Sequence, residues 1–328
     1  MKDISDQQKL RAEAVIWDMI GATKFWEQRD PAIRIPYAIL SLAAGLEHQS
    51  SQAEPYVLGL VIEDGPFEET VRFVPLLAYL ELKMRSVRSR QDCFELMLFK
   101  RKESAIDAFV RGEVHFLKLG GSGYLRVQQL HPTVKLLVAQ YPPKQGVIVV
   151  RDDSNLYRLE DLINRSVAFG GAYSTLSIWG CFELAKAGVS GSSLKYYEAL
   201  DLASGFSPET AINASLSVQA FEAVSTNGFD AAVASAKPFR ETAAQSGLRK
   251  LAEFTSDPVV WMARGDLPAE LISGLRRSLV DLKEPTILLK VTPNLRRFVE
   301  VSDASFDELR KATTTAVHQF PQLYETDE

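Results

Sequence analysis

Apolar runs alternate with amphipathic segments along most of the chain, and this alternation predicts its elements. Continuous apolar stretches at residues 56–62, 94–99 and 146–150 are typical of buried strands. Apolar residues at helical spacing predict a helix over residues 66–80, in which Pro75 is expected to kink or divide the helix. Strands and helices that alternate at this spacing predict parallel β-α-β units, and hence an α/β fold.

A pattern of helix, glycine, strand and small-residue loop occurs twice, at residues 108–123 and 218–235. The repetition predicts two similar lobes, each a mostly parallel sheet flanked by helices, with a ligand cleft at the strand ends between them. The expected boundaries are a leader at residues 1–53, lobe 1 at 54–143 plus 256–328, and lobe 2 at 144–255. A strand at 254–261 is expected to return the chain to lobe 1, where helices at 267–282 and 306–318 follow, the latter with Ser305 as N-cap.

Residues 167–189 combine a short apolar strand, a two-glycine turn and a helix with a hydroxyl-rich start. Ser174 is a good N-cap for this helix, and Gly188 stands where a C-cap glycine belongs. The first turn of a helix offers free backbone N–H groups and a partial positive charge, which favour a phosphate-like or carboxylate group. The candidate ligand-binding residues are Tyr173, Ser174, Thr175 and Ser177. The alternative interpretation is ordinary helix capping without a ligand.

Composition excludes several classes of function. The chain of 328 residues has a formal net charge of −5, which argues against a nucleic-acid surface. Its two cysteines, Cys93 and Cys181, are expected in different halves of the molecule, so neither a disulfide framework nor a thiolate metal site is indicated. The four histidines show no ligand-like spacing, and neither a metal nor another cofactor is expected.

An apolar segment at residues 35–46 is too short to span a bilayer but suits the hydrophobic region of a secretory signal. Basic residues precede it, and Ser51 and Ala53 are small residues at the positions that a signal peptidase reads. Cleavage after Ala53 is therefore expected, which would place the mature protein in the periplasm. The alternative is an amphipathic N-terminal helix packed on the domain, in a chain that stays in the cytoplasm.

Six sequence blocks, in their order along residues 56–282, resemble the periplasmic binding proteins of phosphonate, phosphite and phosphate ABC importers. The blocks are RFVPLLAYLE, AIDAFVRGEVHFLKLGGSGY, VIVVRDDSNLYRLEDL, VAFGGAYST, NGFD and DPVVWMARGDLP. The resemblance implies a two-lobed, type II solute-binding fold and a non-enzymatic receptor that captures a small oxyanion for a membrane permease. It also implies that Ser174 and Thr175 hold the oxyanion, and that Tyr124 and Asp230 contribute. Ser122, in the same glycine-rich loop as Tyr124, is a further candidate.

Four positions depart from the pattern of that family. Gly121 stands where proline is usual, Leu216 replaces a histidine, His115 replaces an aspartate and Lys102 replaces a tyrosine. Losing an imidazole and a phenol removes two donors that would face a phosphonate. A different small anion, satisfied by Lys102, fits the pocket equally well, although Arg101 beside it favours a solvated basic turn. His115, inside an apolar strand, is expected to be a core residue with its hydrogen bonds satisfied.

Other functions remain open at this point. A two-lobed receptor could pass its closed state to a membrane signalling partner, or the same architecture could serve an enzyme acting on a small phosphorylated metabolite. The enzyme is disfavoured because the sequence shows no nucleophile with a positioned base, no paired carboxylates in a common motif, no P-loop and no full dinucleotide fingerprint.

Overall fold

A computed structural model of the chain describes residues 14–19, 32–36, 39–40, 54–62, 66–88, 94–171, 174–200 and 216–324. The chain divides into two compact units. Unit 1 comprises Met1–Leu119, Tyr124–Pro142 and Val259–Ser302, and unit 2 comprises Gly120–Gly123, Pro143–Pro258 and Asp303–Glu328. None of the described helices combines the length and the apolar composition needed to cross a bilayer.

The elements of the described residues follow in chain order. The strands are β1 (Ala32–Ile35), β2 (Tyr56–Val61), β3 (Phe94–Phe99), β4 (Phe116–Leu119), β5 (Lys135–Tyr141), β6 (Gln145–Arg151), β7 (Ser166–Phe169), β8 (Tyr196–Ala199), β9 (Ala231–Ser235), β10 (Leu248–Thr255), β11 (Val260–Ala263) and β12 (Arg297–Val299). The helices are α1 (Pro66–Arg88), α2 (Lys102–Arg111), α3 (Gly121–Leu130), α4 (Thr175–Lys186), α5 (Leu216–Ser225), α6 (Ala236–Ser246), α7 (Ala269–Asp281), α8 (Pro285–Val291) and α9 (Asp307–Gln319). Residues 14–19 are also helical.

The sheet of unit 1 has the strand order β1-β3-β2-β4-β11-β5-β12. β2 pairs parallel with β3 and β4, whereas the other neighbouring strands pair antiparallel. The expected mostly parallel sheet is therefore corrected to a mixed one, because the late strands β11 and β12 return in the opposite direction. α1 and α7 pack against each other beside this sheet, and Phe73 and Trp261 meet in the core with ring centroids 5.9 Å apart.

The N-terminal residues that the structure describes belong to unit 1. β1 pairs antiparallel with β3, and Ile33 and Ile35 are buried in the core of the unit. Trp17 stacks on Phe67 with ring centroids 4.7 Å apart. Cleavage after Ala53 would remove all of these contacts, and that cleavage stays a prediction. Most of the expected signal segment, and the expected cleavage site, lie outside the described residues.

The sheet of unit 2 has the strand order β10-β6-β9-β7-β8. β7 pairs parallel with β8 and β9, whereas β6 pairs antiparallel with β9 and β10. α4 packs on this sheet and α9 packs along α4. Beyond α9, Phe320 contacts Phe169 and Tyr197 with ring centroids 5.8 and 5.7 Å apart. The chain from Asp303 onward therefore belongs to unit 2, which differs from the expected assignment of this segment to lobe 1.

The local sequence patterns located many of these elements. β3 spans the predicted residues, and β2, β6 and β7 end within one residue of their predictions. The single strand predicted at 254–261 is instead two strands, because β10 ends in unit 2 and β11 begins in unit 1 after Pro258. α1 is one helix, undivided at Pro75. The loop expected after Gly120 is the first turn of α3, and Phe306 rather than Ser305 is the N-cap of α9.

Candidate functional site

The beginning of α4 follows the buried strand β7 through a short glycine turn. Ser174 has the extended backbone of an N-cap (φ −79°, ψ 112°), and its hydroxyl accepts a hydrogen bond from Ser177 N at 3.3 Å. The predicted N-cap is therefore confirmed. The first turn of a helix carries further N–H groups that have no partner within the helix, and it is the positive end of the helix dipole. Tyr173 lies outside the described residues.

The first turn of α3 meets the first turn of α4 within unit 2. Ser122 in α3 and Thr175 in α4 are both buried. Their hydroxyl oxygens lie 2.8 Å apart, and Ser122 N donates to Thr175 Oγ1 at 3.3 Å. A Cβ on Gly120 would come within 2.6 Å of Thr175 Oγ1, so only glycine allows this close approach. Two helix N-termini, each of which favours an anion, thus lie side by side.

Ser177 is a buried polar residue of the first turn of α4. Only 2% of the residue is exposed, yet its hydroxyl oxygen has no hydrogen-bond partner among the residues that the structure describes. A Cβ on Gly170, at the end of β7, would lie 3.1 Å from the hydroxyl oxygens of both Ser174 and Ser177. A buried hydroxyl without a partner carries a penalty of about 1–3 kcal/mol, which a bound acceptor would remove. The unpartnered hydroxyl therefore points to a ligand at this helix beginning.

The strand next to β7, β9, is also followed by a helix with a serine at its beginning. Because β9 runs parallel to β7, the carboxyl ends of both strands lie at the same edge of the sheet, where open α/β sheets bind ligands. α6 begins directly after β9, with Ser235 in the N-cap position and without a side-chain capping bond. Ser217, early in α5, accepts a hydrogen bond from Ser235 N at 3.0 Å. Neither serine was predicted from the sequence, although a serine between a strand and a helix is itself an N-cap signal.

A half-buried carboxylate lies beside the two helix beginnings. Trp179, one turn beyond Thr175 in α4, donates its indole N–H to Asp257 Oδ2 at 2.6 Å. Burial raises the pKa of the Asp257 carboxyl above its usual value, while the hydrogen bond from Trp179 acts in the opposite direction. A Cβ on Gly121 would be 3.0 Å from Asp257 Cβ, so Asp257 also lies against the first turn of α3. This pair was not predictable from local sequence patterns, because 78 positions separate the two residues.

Asp230 lies at the opposite edge of the sheet of unit 2. Its carboxylate accepts hydrogen bonds from Ser166 N and Ser166 Oγ, both at 2.9 Å, and Arg165 Nη1 is 3.9 Å away. Ser166 begins β7 and Asp230 directly precedes β9, so the cluster joins the amino ends of two parallel strands. The structure thus gives Asp230 a role in strand pairing, away from the beginning of α4.

Tyr124 and Lys102 both belong to unit 1. Tyr124 is 2% exposed, and its hydroxyl accepts a hydrogen bond from Gln128 Nε2 at 3.1 Å. Lys102 is the half-buried first residue of α2. A role of either residue in ligand binding stays a prediction. His115 Nδ1 accepts a hydrogen bond from Val57 N at 3.0 Å, and burial lowers the pKa of its imidazole; the expected satisfied hydrogen bond is confirmed, but the residue is half-buried and stands directly before β4 rather than inside it.

Metal ligands and reactive thiols give no second candidate site. No group of three or more His, Cys, Asp or Glu side chains in the described part of the chain is arranged to hold a metal ion. Cys181 is buried in α4, and this burial raises the pKa of its thiol well above the usual value. The thiol therefore packs as a small apolar group. Cys93 lies outside the described residues.

Solved structures of three similar proteins share this fold. XAC2383 from Xanthomonas citri, bound to ATP, is 16% identical with a TM-score of 0.63, and the match covers 82% of this chain and 99% of that one. PhnD1 from Prochlorococcus marinus, in complex with methylphosphonate, is 16% identical with a TM-score of 0.59, over 81% and 98% of the two chains. The aliphatic sulphonate binding protein SsuA from Escherichia coli is 14% identical with a TM-score of 0.53, over 81% and 93%. These likenesses show the two-lobed fold of periplasmic binding proteins.

Sequence comparison with whole families is more specific. A search among curated protein sequences finds no match to this chain. The family model described as "ABC transporter, phosphonate, periplasmic substrate-binding protein" matches residues 64–306, about three quarters of the chain, and this range includes both helix beginnings and Asp257. The chain therefore belongs to the family of periplasmic substrate-binding proteins of phosphonate ABC transporters.

Proposed function

We propose that this protein captures a small phosphorus or sulfur oxyanion at the beginning of α4 and delivers it to a membrane permease. Membership of the family implies a small-molecule ligand, a permease partner and a periplasmic location, and it describes a transport component rather than an enzyme. The similar structures are named for complexes with ATP and methylphosphonate, or for aliphatic sulphonate binding. Each of these molecules carries a phosphorus or sulfur oxyanion.

The unpartnered hydroxyl of Ser177 is the single observation that carries the proposal. Structural caps satisfy their own hydroxyls, as Ser174 does by accepting from Ser177 N. The Ser177 hydroxyl is buried without such a partner among the described residues. An oxyanion oxygen placed here would accept from this hydroxyl and from the N–H groups of the first turn.

Four serine and threonine side chains form the proposed anion seat, which we define as Ser122, Ser174, Thr175 and Ser177. Thr175 and Ser122 share one hydrogen bond between their hydroxyls, which holds both side chains at the beginning of α4. Such donors bind an oxyanion without transferring a group to it. The seat therefore suits capture and release, as transport requires.

A thermal-shift screen of the full chain tests this proposal. The ligands are phosphate, phosphite, sulfate, methylphosphonate, methanesulfonate and acetate. A true ligand at 100 times its dissociation constant should raise the free energy of unfolding by about 2.7 kcal/mol. Ser174→Ala should abolish most of the shift, whereas Ser225→Ala, at the exposed end of α5 in the same unit, should keep it. A screen in which no oxyanion stabilises the protein would refute the proposal.

The N-terminus of the mature protein needs a separate measurement. We propose that β1 is retained, because its removal would expose the edge of β3 and take Ile33 and Ile35 out of the core. Mass spectrometry of protein purified from the periplasm should find peptides that contain residues 32–35. A mature chain that begins at Glu54 would instead establish the cleavage suggested by the sequence.

A further inference from the structure

We propose that the anion seat selects oxyanions that carry a single negative charge, such as sulfonates and singly ionised phosphonates, and that Asp257 sets this limit. The inference rests on the proposed function and narrows its class of substrate. It follows from the charges that the structure places around the seat within unit 2.

The donors of the seat are uncharged. Ser174, Thr175 and Ser177 contribute hydroxyl and backbone N–H groups, and no Lys or Arg of the described residues forms a hydrogen bond or ion pair with them. A helix N-terminus contributes about half of a positive charge. This partial charge is enough to attract a ligand with one negative charge, but it only weakly offsets a second negative charge on the same ligand.

A charged side chain that lies beside the seat in unit 2 is a carboxylate. Asp257 lies against Gly121, the residue before Ser122. Its Oδ2 accepts a hydrogen bond from Trp179, which follows Thr175 by one turn in α4. Asp257 therefore stands beside the first turn of α3 and the second turn of α4. A half-buried charge beside these turns acts on a ligand bound there, because the screening length of physiological salt is about 8 Å.

The charged groups on the elements packed around Asp257 do not neutralise it. On α9, Glu308 pairs with Lys311 at 2.7 Å, and Arg310 is bound by Asp303 and Asp307. The exposed His318 lies at the far end of α9. On α4, Glu183 and Lys186 pair at 2.9 Å at the opposite end of the helix.

The chain segments beside Asp257 complete this set of charges. Ser256 donates its N–H and hydroxyl to the carbonyl oxygen of Lys144, both at 3.0 Å, which places that lysine on the adjacent segment. On β10, Glu253 is paired with Lys250. No ion pair joins any of the described basic side chains to Asp257, so among the described residues of unit 2 its charge has no opposite partner.

The consequence for a ligand depends on its charge. For charges about 8 Å apart at an effective dielectric constant of about 20, a second negative charge on the ligand lowers the affinity about tenfold or more. A sulfonate carries one charge at every pH above strong acid. A phosphonate loses its second proton in the neutral range, as a phosphate monoester does near pH 6. The two ligands should therefore respond differently to pH.

Calorimetric titrations of the full chain with methylphosphonate and methanesulfonate, from pH 5.5 to 8.5, test the inference. The affinity for methylphosphonate should fall about tenfold as the ligand loses its second proton, whereas the affinity for methanesulfonate should stay constant. Methanesulfonate reports any change in the protein itself, such as the titration of a histidine, because its own charge is fixed.

Three variants assign the effect to Asp257. Asp257→Asn removes the charge and keeps an oxygen that can accept from Trp179. In this variant the fall of methylphosphonate affinity with rising pH should largely disappear. Trp179→Phe removes the hydrogen bond and keeps the charge, so the decline should persist whatever happens to the absolute affinity. Asp230→Asn removes a carboxylate at the other edge of the same sheet, and the decline should persist there too.

Each outcome separates this inference from the proposed function. A methylphosphonate affinity that rises with pH, or a decline that is the same in Asp257→Asn, overturns the selection by charge while the capture of oxyanions stands. If neither these two ligands nor any other oxyanion of the screen binds the protein, the proposed function and this inference both fail. Melting curves of every variant confirm that it is folded before titration.

Discussion

The two ends of β7 carry similar residue types, but these residues have different partners. At the amino end, Ser166 and Asp230 satisfy each other through hydrogen bonds that link β7 to β9. At the carboxyl end, Thr175 and Ser177 stand in the first turn of a helix, and the Ser177 hydroxyl lacks a partner among the described residues. The proposed binding site is therefore distinguished by a buried hydroxyl without a partner among the described residues, and not by the presence of serine and aspartate.

Removing the hydroxyl of Thr175, at the carboxyl end of β7, should have the largest effect on oxyanion affinity. Thr175→Val keeps the shape of the side chain but removes its bond with Ser122, so oxyanion affinity should fall about 100-fold. Thr313→Val, in which a hydroxyl bonded to Leu309 O in α9 is lost, should leave the affinity unchanged. Calorimetry with the best ligand of the screen measures both. Equal affinities in the two variants would contradict the placement of the seat.

Disrupting the amino end of β7 should affect stability alone. Asp230→Ala leaves the N–H and hydroxyl of Ser166 without their acceptor, so the free energy of unfolding should fall by about 1–3 kcal/mol. Ligand affinity of the folded variant should not change. Urea unfolding and calorimetry test the two statements, and a loss of affinity at full stability would return Asp230 to the binding site.

Ser177→Ala should lower ligand affinity without lowering stability. The variant removes a buried hydroxyl that has no partner in the described structure, so the unliganded protein should be as stable as the wild type or slightly more so. Oxyanion affinity should fall about tenfold, since one hydrogen bond to a charged group is lost. A variant that is clearly less stable without ligand would show that Ser177 has a structural partner.

Asp257→Asn should have the smallest effect, a change in melting temperature that depends on pH. Burial raises the pKa of this carboxyl in the folded state above its value in the unfolded chain, about 3.9. The folded state is therefore favoured below the unfolded pKa, and this contribution is lost as the pH rises through the folded pKa. Asp257→Asn should accordingly raise the melting temperature by a few degrees near pH 7, and the gain should disappear towards pH 4.

The control for this prediction is an exposed carboxylate of the same unit. Asp153 pairs with Arg151 at 3.0 Å, and its side chain is 79% exposed. Asp153→Asn should leave the melting temperature nearly unchanged across the same pH range, because exposed ion pairs contribute little. A gain for Asp257→Asn that grows towards acid would contradict the proposed burial of its charge.

Local chemistry made the carboxyl end of β7 predictable from the sequence. An apolar run predicts the strand, and a serine before a helical pattern predicts the N-cap, because both depend on neighbouring residues only. The position of Asp230 was predicted less well from the sequence. It precedes its strand, whereas Ser174 follows one, and only the parallel pairing of β7 with β9 shows that the two residues lie at opposite edges.

Contacts between distant residues were beyond the reach of the sequence. The apolar Ile35 is compatible with a secretory signal and with a buried strand, and its pairing with Leu96 in β3 is visible only in the folded chain. The bond between Trp179 and Asp257 likewise depends on how α4 packs. An unpartnered hydroxyl such as that of Ser177 is visible only when every neighbour has been placed.

The most direct test of the account is where a bound oxyanion perturbs the backbone. In ¹⁵N NMR spectra of the protein titrated with methylphosphonate or methanesulfonate, the amide signals of Thr175–Ser177 and Ser122 should shift most within unit 2. Amides at Ser166 and Asp230 should stay in place. Shifts centred on the amino end of β7, or saturation by the ligand with no change at the beginning of α4, would contradict the central claim.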